Sequence, residues 1–219
     1  MDQDVSILDS IDPDLSGRLV SKRDLFARAS GKLGALATTP LLLAAVSTEA
    51  FGQGLPRQIV DVLNFALTLE YLEDAFYHAA LSRPGLVPPQ FIGVFSTISR
   101  HESEHVSTLT GALGGAAIEK PQFDLTGHGK YPDILSNFRT LALVSQTLED
   151  TGVAAYKGQA PRLYGSGEVL TTALRIHSVE ARHAAEVRRI RGVRPWTGAF
   201  DKPLSKRQVL AAARPFIAS

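Results

Sequence analysis

Two short stretches carry a glutamate three residues ahead of a histidine. Residues 101–109 read HESEHVSTL and residues 180–183 read EARH, which pairs Glu102 with His105 and Glu180 with His183. On a helix, positions i and i+3 lie on one face, so each pair aims a carboxylate and an imidazole the same way. Two more glutamates, Glu70 and Glu149, are each followed seven residues later by a tyrosine, Tyr77 and Tyr156. Four carboxylates and two imidazoles suit a pair of hard or borderline cations such as iron or manganese. One Glu-x-x-His is weak evidence, since it recurs by chance on many helices. The order Glu, Glu-x-x-His, Glu, Glu-x-x-His is specific.

Four amphipathic helices have to position these groups. The first stripe runs Leu63, Leu67, Glu70, Asp74 and Tyr77, with Ala66 and Glu73 beside it. The second carries Phe91, Phe95, Ile98, Glu102, His105 and Leu109. The third carries Leu135, Phe138, Ala142, Ser145, Glu149, Val153 and Tyr156. The fourth carries Ala173, Ile176, Glu180, His183, Val187 and Ile190. Each follows helical spacing, and each apolar stripe is interrupted by a carboxylate. A buried, unpaired carboxylate is strongly disfavoured, and Lys and Arg are largely absent from the stripes. A shared metal is the economical counter-charge.

The four segments form two similar halves. Glu70 and Tyr77 recur 79 residues later as Glu149 and Tyr156, and the Glu-x-x-His pairs recur at 78. Two helix hairpins about a pseudo-twofold axis would bring all six groups to one centre. SRPGLVPP and GQAPRLYGSG are short links fit for antiparallel hairpins. Residues 114–132 are punctuated by Gly and Pro and are long enough to run the length of a bundle. Glu73 lies near the face of Glu70; the match of Glu70 to Tyr77 and to Glu149 favours Glu70 as the ligand. Asp74 and Asp150 are candidates to orient a ligand histidine, and His101 and His177 flank the ligand pairs.

On these motifs the chain resembles the ferritin-like superfamily over residues 58–190. LNFALTLEYLEDAFY, HESEHV and VEARHA are similar to the branch described as ferritin-like domain or desiccation-related proteins. The resemblance implies an all-α fold: a four-helix bundle with a long crossover between helices 2 and 3, an N-terminal arm and a short C-terminal helix. It implies Glu70, Glu102, His105, Glu149, Glu180 and His183 as ligands of two metal ions, iron first and manganese as the alternative. One glutamate from each of the second and fourth helices would bridge the ions. Tyr77 and Tyr156 would stand beside the site as hydrogen-bond donors. The activity implied is oxidation of Fe(II) or reduction of O₂ or H₂O₂ in protection against oxidative or desiccation stress. The other reading is a non-catalytic structural or interaction subunit of a larger assembly.

Composition narrows the alternatives. Net charge is +1, which gives no basic field for nucleic acid. The absence of cysteine excludes disulfides, thiolate zinc sites, iron–sulfur clusters and cysteine catalysis. The chain divides into an arm over 1–54, the bundle over 55–192 and a tail over 193–219. In the arm, Lys22, Arg23, Arg28 and Lys32 precede a small-residue and apolar run from Ala35 to Val46. That run falls short of the ~20 apolar residues of a membrane span and suits the apolar part of an export signal. SKRDLF resembles a twin-arginine signal with Lys22 in place of the first arginine. Export to the periplasm is the expectation, a cytoplasmic location the alternative. The arm could equally dock on a membrane or a protein partner. In the tail, Ser205 and Gln208 form a capping-box pattern before VLAAA, with Trp196 expected as a packing anchor. Pro195, Trp196 and Pro203 stand where a cage subunit would need a regular packing helix. The expectation is a monomer, dimer or partner complex, not the cage of ~24 subunits known from the family resemblance.

Overall fold

Proline, glycine and one asparagine set the ends of the helices. In the computed structural model, which describes residues 54–196 and 198–218, α1 spans Arg57–Leu81, α2 Pro89–Leu113, α3 Phe138–Gln159, α4 Glu168–Ile190 and α5 Lys206–Ala213. The arm with its export-like stretch lies outside the described residues. Pro89 occupies the first turn of α2, where the missing N–H has no intrahelical acceptor to lose. Asn137 caps α3 by accepting from the Arg139 N–H at 3.0 Å, so Leu135 belongs to the preceding turn. Glu168 in the first turn of α4 and Arg188 and Arg189 in its last turn complement the helix dipole. Among the described residues, no helix is long and apolar enough to cross a membrane.

Helix direction follows from which ends meet. The rings of Phe91 and Phe138, near the starts of α2 and α3, stack at 5.6 Å between centroids. Those two helices therefore run the same way, and residues 114–137 must return along the bundle. Near the end of α1, Tyr77 meets Ser145 early in α3, so α1 and α3 are antiparallel. The all-α bundle with a long crossover between α2 and α3 is what the sequence predicts.

Two apolar layers close the interior at either end. One gathers Phe76, Phe95, Ile98, Leu141, Val144 and Val187. The other gathers Leu63, Leu67, Leu109, Leu163, Val169 and Ile176. Between them lies a belt of charged side chains with almost no exposure.

The C-terminal residues are sewn onto this bundle. Leu204 N–H donates to the Ala154 carbonyl of α3 at 3.0 Å. The approach depends on Gly158, because a Cβ there would sit 1.9 Å from the Leu204 carbonyl oxygen. The capping box at Ser205 and Gln208 starts α5, which buries Val209 and Ala213. Phe216 stacks on Tyr131 at 5.9 Å, and Phe123 pairs with Ile217 in an isolated antiparallel bridge. The tail thus fastens the crossover. Trp196 is not the anchor expected of it: it is 68% exposed, and Val209, Ala213 and Phe216 do the anchoring.

Candidate metal centre

Each of the four long helices sends a carboxylate into the belt. Glu70 from α1, Glu102 from α2, Glu149 from α3 and Glu180 from α4 are all buried, with His105 and His183 beside them. His105 Nδ1 lies 3.1 Å from an oxygen of each of Glu70, Glu102 and Glu180. His183 Nδ1 lies 2.9 Å from Glu102, 3.4 Å from Glu149 and 3.9 Å from Glu180. Both imidazoles present the same nitrogen inward.

The candidate donor atoms fall into two groups that could each hold a metal ion, each mutually within 4.8 Å: Glu70, Glu102, His105, Glu180 and Glu102, Glu149, Glu180, His183. Glu102 and Glu180 belong to both. The tyrosines cross between the halves. Tyr77 of α1 donates to Glu149 of α3 and shares a 2.6 Å hydrogen bond with Ser145. Tyr156 of α3 donates to Glu70 of α1 at 2.6 Å. Each hydroxyl is the polar tip of one apolar layer, and each fixes the carboxylate of the opposite hairpin.

Burial and crowding put protons on this belt. Desolvation, with Glu149 and Glu70 nearby, pushes Glu102 up to about 7 against its two histidine contacts. Burial and then the Glu102 carboxylate hold Glu180 well above the ordinary range. Burial would lower the histidines, but the carboxylates overcome it. His105 is raised chiefly by Glu70 and by its bonds to Glu102 and Glu180, and His183 is raised to about 10 by Glu102 and Glu149. Glu70 is held below the ordinary value: burial would raise it, but His105 and the hydrogen bonds of His105 and Tyr156 prevail.

The donor set fits a pair of cations. Glu102 Oε1, Glu149 Oε2, both oxygens of Glu180 and His183 Nδ1 are buried without a hydrogen-bond partner of acceptable geometry. Five orphaned atoms on three helices, all in one belt, are costly unless something binds them together. Their oxygen-rich character suits iron or manganese better than a soft ion.

A family model described as a ferritin-like domain matches residues 58–193, well over half of the chain. The chain belongs to the ferritin-like domain family. No curated protein matches it in sequence. The match spans all four long helices of the ferritin-like domain and stops before α5.

Other residues of the ferritin-like domain fall differently from their sequence readings. Asp74 does not orient a ligand histidine; it accepts from Lys120 at 2.8 Å and Ser103 at 2.8 Å. Asp150 likewise faces Arg188 at 2.6 Å and Gln146 at 3.0 Å. The group that does touch a ligand histidine is His101, whose Nδ1 lies 2.9 Å from His183 Nε2. Its spacing of four from His105 was the available signal. His177 stands apart, its neighbouring charges being Lys157 and Asp201. Glu73 is 2% exposed in the same belt, although the repeat pattern gave it no place there.

Proposed function

We propose that this ferritin-like domain holds two metal ions, iron in preference to manganese, and oxidises Fe(II) or reduces O₂ or H₂O₂ in protection against oxidative or desiccation stress. The observation that carries the reading is the sharing of Glu102 and Glu180 between two four-residue ligand groups. Such sharing supports two cations side by side, which would have these carboxylates in common. A bound pair of iron or manganese ions would supply two electrons together, which O₂ or peroxide could accept without release of a radical. The chain's own contribution is positional. Glu70, Glu102 and His105 with Glu180 would hold one ion, and Glu149 and His183 with the same shared pair would hold the other. Tyr77 and Tyr156 fix the outer oxygens of Glu149 and Glu70, while the apolar layers exclude bulk water.

Access for a small oxidant is supported by an open recess of about 330 Å³ between α2 and α4. Its walls include Thr97, Ile98, Val179 and Arg182, and it reaches His101 and His183. The desiccation-related assignment rests on the sequence motifs, and export rests on the basic and apolar pattern over residues 22–46. A monomer, dimer or partner complex is proposed over a storage cage. The deciding experiment is anaerobic loading of the metal-free protein with Fe(II), followed by air. Rapid O₂ consumption with growth of near-ultraviolet ferric absorbance is expected. A bound metal that consumes no O₂ would leave a four-helix scaffold stapled by metal, the competing reading. Metal analysis of protein purified without added metal separates iron from manganese.

A further inference from the structure

Glu73 lies one turn after Glu70 on α1, buried, and neither of its oxygens has a hydrogen-bond partner among the described residues. A leucine or glutamine there would avoid the cost of burying a bare carboxylate. The direction it faces gives it a use. A Cβ built on Gly152 of α3 would lie 3.5 Å from Glu73 Oε1 and 3.0 Å from Glu180 Oε2. The two carboxylates therefore face one point above Gly152, and Glu180 Oε2 is itself unpartnered. Gly152 is also the repeat counterpart of Glu73: both stand three residues after the lone glutamate of their half, 79 residues apart. One half supplies a carboxylate where the other supplies no side chain at all, and the carboxylates of Glu73 and Glu180 take up the room.

We infer that Glu73 is a seventh ligand of the metal centre, serving only the cation held by Glu149, Glu180 and His183. Its placement relative to the other charges agrees. After burial, Glu180 and then Glu149 do most to raise the Glu73 carboxylate, ahead of Glu70 on its own helix. The two cation positions are then inequivalent despite the repeat, one with an extra hard oxygen donor. Four carboxylates neutralise two divalent ions; a fifth shifts the balance toward the trivalent pair.

The inference rests on the di-metal reading, and cobalt separates the two. Metal-free full-length protein and its Glu73→Gln and Glu73→Met variants are titrated with Co(II) by calorimetry and visible absorption. The wild type is expected to take two equivalents. Both variants should also take two, with one weakened on the order of tenfold to a hundredfold and its visible band altered as a ligand is lost. Without metal, both variants should melt above the wild type, because a buried carboxyl group without partners, crowded by other carboxylates, is gone. Two unchanged affinities with an unchanged spectrum would overturn the role of Glu73 and leave the di-metal reading standing. A wild type that binds no Co(II) would overturn both. Metal-free variants less stable than wild type would mark Glu73 as a structural group and overturn the assignment as well.

Discussion

His101 Nδ1 lies 2.9 Å from His183 Nε2, with the rings stacked at 5.2 Å between centroids. His183 directs its other nitrogen at the carboxylates, so His101 sets its orientation from behind. No histidine plays that part for the other half, where Val179 is the repeat counterpart. Replacing His101 with Ala should weaken the cation at His183 by roughly tenfold to a hundredfold and spare the one at His105. Two-step metal titration by calorimetry checks it; equal weakening of both steps would contradict the placement.

Glu102 and Glu180 are shared by both ligand groups. Replacing either with Ala should abolish paired binding, whereas His105→Ala or His183→Ala should weaken one ion more than the other. Metal stoichiometry after dialysis reads the difference directly. Loss of one equivalent only, with Glu102→Ala, would show that this carboxylate does not bridge.

Proton linkage gives an expectation of opposite sign with and without metal. His183 is raised from 6.5 to about 10 and His105 is raised too, so their contribution is complete below pH 6.5 and is lost as pH rises through the folded values. Glu102, raised to about 7, and Glu180, also raised, bind protons more tightly folded than unfolded, which lowers stability as pH climbs past 4.5. The metal-free protein should therefore melt higher at pH 6 than at pH 9. Glu70, held low, acts the other way only below its ordinary 4.5. Metal competes with these protons, so its stabilisation should grow as pH rises and its binding should release protons. Melting curves with and without Mn(II) across that range test the crossing.

Gly158 and Gly111 are both helical glycines with opposite surroundings. A Cβ at Gly158 would strike the Leu204 backbone, while one at Gly111 meets nothing within 4 Å. Gly111→Ala should be neutral or stabilise by up to ~1 kcal/mol on helix propensity. Gly158→Ala should instead destabilise by about 1–3 kcal/mol, as α5 is forced off α3. Urea midpoints of the two variants decide it.

The bundle was legible because its signal is redundant. Four stripes, two short links and one long one agree on topology, and a carboxylate at matching height on every stripe exposes the belt. What stayed hidden depends on pairings across helices. Spacing alone favoured Asp74 as a partner for histidine, yet Lys120 arrives from the crossover and takes it. The repeat pointed to one glutamate on α1 and so concealed Glu73, whose surroundings are created by a glycine on another helix. Trp196 reads as a packing anchor in the sequence, but the chain places it outward and lets Phe216 and Val209 fill the gap.

The tyrosine hydroxyls and the shared Glu102 and Glu180 all lie across the seam between the two hairpins, where like charges face each other in the metal-free chain. If the proposed ions bind there, their supply decides how tightly the halves are latched. A cell short of the ion would hold a looser molecule whose seam opens more often to proteases. Abundance of the protein would then follow the cell's metal supply without any change in its synthesis.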